Sequence, residues 1–426
     1  MEFEFGHSFG GWCDKYHAKY PDIFAMQPNG TRTNSSTRER LCVSNPLLWD
    51  LVAQERIAEL RANPGLAGVS ICPNDGGGGN KFCCCEHCRA LDSAEAQEMY
   101  KKNPKVGQGP GGEGPFPPLS DRYFRFFNEV AKRVKAAMPD RYVDCYAYSA
   151  YHSPPSFKIE DNVVVGYVGP NTYANDEMRN KARADVLAFG KKAKHLMLRP
   201  NLLANPLGLP IIYVHKLSED MRLFADHGLR LTDFASCLGN WGTQGLDYYV
   251  LAKLLWDPYA EVDPIIDDYC RAAYGPGAEA VKDYYRRTEA LTDKIAATSP
   301  DYNADNTLTD HFTDAALADL QSPLDKAIAA IGASDPAALE RVRLLTSGLE
   351  YARQTRRLFR AAADVREGKS SPEQFEKVKG EVLAFYKPLA LSWAVSADQN
   401  YRKMRKTALR LKATPRNAAA DADEAP

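Results

Sequence analysis

The chain has 426 residues, 44% hydrophobic and 26% charged, the ordinary balance of a globular protein with room for about two or three domains. Its formal net charge of -1 supplies no basic field for a polyanion, so no nucleic-acid partner and no anionic lipid surface is expected. No run of about 18 apolar residues occurs, so no membrane span is expected, and "MEFEFGHSFGGWCDKYH" at the N-terminus lacks the basic, apolar and small-residue regions of an export signal.

Along residues 1–257, short β runs alternate with amphipathic helices, the pattern of α/β units around a parallel sheet. Six strands are predicted: "EFEF" from Glu2, "AGVSIC" from Ala67, "YVDCYAY" from Tyr142, "NVVVGYV" from Asn162, "HLMLR" from His195 and "LRLTDFA" from Leu229. Asn45 followed by Pro46 predicts a helix start, and Ser120 opens a helix whose Phe124, Phe127, Ala131 and Val134 share one face. Another helix is predicted from near Ser218 to Gly228. Residues 89–119 form a long connection ending in a Gly/Pro-rich run, a length that goes with either a lid or an inert insert.

From "LDYYVLAKLLWDP" onward the β signal disappears. Asp263-Pro264, Asp335-Pro336 and Ser371-Pro372 each pair a capping residue with a proline at the first helical position, which predicts an all-α domain over 258–412. The last residues, 413–426, have the composition of a disordered tail.

The segment "SICPNDGGGGNKFCCCEHC", Ser70 to Cys88, admits three readings. Phosphate binding fails, because Gly76 to Gly79 lead to Asn80 and Lys81 and not to the Gly-Lys-Ser/Thr of a P-loop. A metal is weakly indicated: Cys83, Cys85 and Cys88 can supply thiolates, but no second Cys-x-x-Cys completes the set, so no metal or cofactor is assigned and a disulfide or reduced packing cluster is expected. In the third reading Asp75 stands just past a barrel strand as a catalytic carboxylate, against the plainer role of a turn residue with Asn74.

The ends of the other strands favour the third reading. His7 follows the first strand; Tyr148, Tyr151 and His152 follow the third; Arg199 and Asn201 follow the fifth; Asp233 ends the sixth, with Trp241 shortly after. With Trp12 and Asn74 these make a candidate pocket of aromatic faces, amides and charges, the composition that suits a polyhydroxylated ligand.

With these residues assembled, the chain resembles a group of bacterial proteins described only as a domain of unknown function, with a glycoside-hydrolase-like barrel related to alpha-glucuronidases and beta-hexosaminidases. The phrases that carry the resemblance are "GHSF", "YPDIFAMQPNGTR" with "LCVSNP", "SICPNDGGGG" with its cysteines, "VDCYAYSAYHSPP", "NVVVGYV" and "YYVLAKLLWDP", over about residues 4–275. It implies a (β/α)8-type barrel, N-terminally incomplete at about six strands, followed by a helical domain, in an exported protein directed at carbohydrate. On that resemblance the expected function is a glycoside hydrolase, with Asp75 as general acid and Asp233 as the second carboxylate. His7, Trp12, Asn74, Tyr148, Tyr151, His152, Arg199, Asn201 and Trp241 would then hold the sugar. The alternative is a non-catalytic carbohydrate-binding barrel, and a third class is a metal-dependent or interaction protein built on the cysteines.

Overall fold

A computed structural model describes residues 2–33, 39–75, 82–106, 116–170, 172–202, 208–234, 237, 239–298, 309–389, 392, 394–395, 402 and 405–408. The glycine run 76–81, the central part of the long connection (107–115) and the tail lie outside the described residues.

The six predicted strands all form: β1 (Glu2–Glu4), β2 (Leu66–Ser70), β3 (Tyr142–Ala147), β4 (Val163–Tyr167), β5 (His195–Leu198) and β6 (Leu229–Thr232). They pair in chain order, each parallel to the next, as a curled half-barrel. All end one to three residues earlier than the predicted runs do; beyond β1 and β2 the described residues add one bridge, His7 with Cys72.

Side chains of paired residues share a face, so register sorts the sheet. Phe3, Gly68 and Tyr142 form one row; Ser70, Asp144, Val164 and His195 a second; Tyr146, Gly166, Met197 and Leu231 a third. On this face Cys72, Tyr146, Val164, Val168 and Met197 make an apolar cluster. Gly166 is required there: a Cβ would come within 2.8 Å of both Met197 Cε and Tyr146 Cδ1. The opposite face carries Val69, Val143, Cys145, Val163 and Val165, all fully buried.

In chain order the helices of the first half are α1 (Trp12–Tyr16), α2 (Pro46–Ala62), α3 (Glu86–Ala90), α4 (Ala94–Lys102) and α5 (Ser120–Ala137). Asn45 caps α2 as predicted, its side chain accepting from the Leu47 N–H. The predicted face of α5 is buried, together with Phe126 and Val130, and α2 and α5 pack on each other and on β2 and β3. Helices α6 (Asp176–Gly190) and α7 (Val214–Asp226) connect the last strands.

The described chain forms two compact units: residues 1–168, 183–199 and 224–233 make the first, which holds the whole sheet, and the remaining residues make the second. The second contains α8 (Trp241–Trp256), α9 (Val262–Tyr274), α10 (Ala278–Thr298), α11 (Asp314–Ile331), α12 (Pro336–Arg366) and α13 (Pro372–Leu389), with no strand among the described residues. Its core is Val281, Tyr284 and Ile295 with Leu317, Leu324, Val342, Leu349, Phe359 and Val382. Helices α8 and α12 cross backbone to backbone, since a Cβ on Gly348 would lie 2.3 Å from the Gly242 carbonyl. No described helix is long and apolar enough to cross a membrane.

Two helix starts differ from expectation. Helix α7 begins a turn before Ser218, because the Glu289 carboxylate accepts the His215 N–H at 3.0 Å and so satisfies a first-turn donor. Glu261, not Asp263, is the cap position of α9; the Asp263 side chain instead faces His215 Nε2 at 3.5 Å. Asp335 caps α12 as predicted, accepting from the Ala338 N–H at 2.9 Å.

Candidate functional site

Parallel strands in consecutive order point all their carboxyl ends one way, so residues just past them gather along one edge of the sheet. His7 is anchored there by its Nδ1, which donates to the Pro73 carbonyl and leaves Nε2 3.9 Å from Asp75 Oδ1. Tyr148 Oη donates to the same carboxylate oxygen at 3.1 Å. Asp75 therefore stands between a phenol and an imidazole, with 56% of its side chain exposed.

Tyr146 continues the line. Its ring meets the His7 ring edge-on at 5.9 Å, and the Arg199 guanidinium lies 4.9 Å over its centre. Burial pushes the Tyr146 phenol up to about 12, and the Arg199 charge works against that. Arg199 Nε is in turn 3.7 Å from Asp233 Oδ2. Contacts thus run Asp75, His7, Tyr146, Arg199, Asp233 from the end of β2 to the end of β6. Tyr146 is absent from the sequence-predicted set. Its two-residue spacing from Tyr148, along chain that stays extended just past β3, places both rings on one face and is the signal that would have found it.

The remaining predicted ligand groups divide. His152 is held by other partners, Nε2 donating to the Val168 carbonyl at 3.0 Å and Nδ1 lying 3.3 Å from Asp185, which also accepts from Tyr167 Oη. Asn74 is buried and spends its amide on backbone: Oδ1 accepts from the Phe9 N–H, and Nδ2 donates to the carbonyls of Phe9 and Glu39, each at 3.2 Å. It is a clamp, not a ligand group. Trp12 is core, packed on Phe9 and Tyr16, and Tyr151 is fully buried with its ring stacked 4.2 Å from Tyr123. Asn201 and Trp241 belong to the second unit, where Trp241 is 40% exposed and sits edge-on to Tyr248.

Among the buried acids absent from the sequence-predicted set are Asp144 and Asp92. Asp144 lies on the same face of β3 as Tyr142 and Tyr146 with no exposed surface, and burial raises its carboxyl well above the usual range, with the Ser70 hydroxyl across the strand pair pulling it back. Asp92 forms a two-pronged pair with Arg122, Nε to Oδ1 at 2.5 Å and Nη2 to Oδ2, both side chains almost wholly buried. Arg122 Nη1 also donates to the Cys83 carbonyl at 2.6 Å.

That carbonyl belongs to the cysteine cluster, and here the structure corrects the expectation of an incomplete set. Cys42 supplies a fourth thiol: the Sγ atoms of Cys42, Cys83, Cys85 and Cys88 all lie within 4.8 Å of one another, and all four residues are buried. Cys42 Sγ is 3.7 Å from Cys85 Sγ and 3.8 Å from Cys88 Sγ, too far for any disulfide bond. Hydrogen bonding among the thiols, led by that from Cys83, lowers Cys42 to about 6.

The protein is an α/β protein whose titratable and aromatic groups gather at the carboxyl ends of parallel strands, the edge at which proteins with such sheets commonly bind small molecules. The chain belongs to the family described as Domain of unknown function (DUF4838), whose profile matches residues 1–286. A search of curated proteins gives no match. Among solved structures, a GH138 enzyme targeting pectin rhamnogalacturonan II is similar at 10% identity and a TM-score of 0.30, the match covering 83% of this chain and 59% of that one. The chain thus spans less than two thirds of that protein's length, and a likeness of this degree determines neither fold type nor chemistry.

Proposed function

We propose that the carboxyl edge of the sheet binds a carbohydrate and hydrolyses a glycosidic bond, the six strands being part of a (β/α)8-type barrel of an exported protein. The observation that carries this is the contact line from Asp75 through His7, Tyr146 and Arg199 to Asp233, two carboxylates separated by rings and a guanidinium. Aromatic faces take the apolar face of a sugar, and the charged groups take its hydroxyls.

On this reading Asp75 acts as the general acid that gives a proton to the leaving oxygen. Asp233, beside the Arg199 cation, either activates water or faces the positive sugar carbon. Tyr148 and His7 hold Asp75 in position. A relationship to alpha-glucuronidases and beta-hexosaminidases is part of this proposal.

The exposure of Asp75 favours a second reading, a carbohydrate-binding protein without catalysis. A panel of aryl glycosides and plant and microbial glycans separates the two. Hydrolysis that falls about a hundredfold or more in both Asp75→Asn and Asp233→Asn, with sugar affinity kept, supports the enzyme. Saturable binding with no turnover in the parent protein supports the second reading.

A further inference from the structure

The four-thiol cluster has no part in the proposed sugar site, and its geometry goes beyond packing. Zinc held by four thiolates at about 2.3 Å sits at the centre of a tetrahedron whose edges are about 3.8 Å. The Cys42–Cys85 and Cys42–Cys88 sulfur separations are 3.7 and 3.8 Å. The donors that thiolates require are also in place. Cys83 Sγ accepts from the Met26 N–H at 3.2 Å, Cys85 Sγ from the Cys88 N–H at 3.4 Å, and the Ser44 hydroxyl is 3.1 Å from Cys88 Sγ. Arg32 Nη1 is 4.0 Å from Cys83 Sγ, a cation beside a site that would carry a net charge of about −2 when four thiolates surround a divalent ion.

We propose that Cys42, Cys83, Cys85 and Cys88 form a closed structural site for one zinc ion, which pins residues 82–92 to residues 39–44. Binding takes one hydrated zinc ion, displaces the protons that the four sulfurs still carry and the waters on the ion, and forms four Zn–S bonds, with no change of oxidation state. Soft thiolates in a tetrahedron select zinc over magnesium or calcium, and four protein ligands leave no open position for catalysis. The site also reaches the sugar-binding edge. Residues 39–42 hold the metal through Cys42 and hold Asn74 through the Glu39 carbonyl, and Asn74 directly precedes Asp75. Zinc thereby braces the backbone that presents Asp75.

The test is elemental analysis of the full chain, purified without chelator under reducing conditions. About one zinc per chain is expected, released by a mercurial thiol reagent as four thiols are consumed. Cobalt loaded in its place should show the strong visible absorption of a tetrahedral thiolate site. Cys42→Ser and Cys85→Ser should each lose the metal and lower the melting temperature, while Cys84→Ser, whose thiol is outside the set, should keep it. The proposal is overturned by a parent chain that neither carries zinc nor rebinds it after chelation, by stoichiometric iron instead, by a disulfide at Cys42, or by a folded Cys42→Ser chain that retains its zinc. The mercurial release is read on the parent protein, so it stands even where a variant fails to fold. Glycosidase activity enters none of these readings, so the proposed function can fail independently.

Discussion

Tyr148 Oη donates a 3.1 Å hydrogen bond to Asp75 Oδ1, joining the ends of β3 and β2 across 73 residues of chain. A hydrogen bond of this kind contributes about 0.5–1.5 kcal/mol, so Tyr148→Phe, which frees the Asp75 carboxyl to turn, should lower kcat/KM by about two- to tenfold on whichever glycoside the parent cleaves. If the protein only binds, the same substitution should weaken the sugar Kd instead, read by calorimetry. A variant equal to the parent in both measurements removes Tyr148 from the site.

Removing Arg122 leaves Asp92 as a buried charge without its partner, the costliest way to break a buried pair, and also frees the Cys83 carbonyl. Arg122→Ala should destabilise the first unit by about 3–5 kcal/mol in urea unfolding, whereas replacing both residues with apolar ones of similar volume should cost much less. An Arg122→Ala loss below about 1 kcal/mol would show that the pair is solvated in solution.

Asp144 is pushed up by burial, so the folded state binds a proton that the unfolded state has given up. Its contribution is therefore favourable at low pH and is lost as pH rises above the unfolded value of about 3.9. Asp144→Asn keeps the shape and removes the titration. It should leave stability near pH 4 unchanged and raise it at pH 7. Equal effects at both pH values would contradict a buried, protonated carboxyl.

His215 shifts the opposite way from a buried imidazole. Its Nδ1 lies 2.6 Å from Glu289 and its Nε2 3.5 Å from Asp263, and the Glu289 bond, then burial working against it, set a value raised to about 9. A folded value above the unfolded one of about 6.5 gives stability that is full below pH 6.5 and lost between about 6.5 and 9. The ring is half exposed, so after solvent screening the effect is about 1 kcal/mol. His215→Gln should flatten that slope in a pH series of melting curves. An NMR titration placing His215 below 7 would refute the assignment.

The strands were legible because their signal is local. Apolar runs such as "NVVVGYV" and "HLMLR" carry β propensity and burial within a few residues, and caps such as Asn45-Pro46 and Asp335-Pro336 act over one turn. The starts of α7 and α9 were not, because Glu289 and Asp263 act there on His215 across distant chain. At the candidate site the strand ends were foreseeable as places where polar residues collect. What each residue does with its side chain was not: Asn74 could be a ligand group or a clamp, and its hydrogen bonds to Phe9 and Glu39 depend on segments 65 and 35 residues away.

Sequence alone determined the parallel α/β order, the helical second half and the clustering of Cys83, Cys85 and Cys88, three of the four thiols that meet, all consequences of spacing along one chain. The fourth thiol, and the line from Asp75 to Asp233, were decided only in the folded protein. Cys42 reaches Cys88 over 46 residues because the Phe24–Leu41 and Met26–Arg32 bridges and the Cys84 N–H to Met26 carbonyl bond fold two remote segments together. Such distances are set by tertiary packing, which no local pattern encodes.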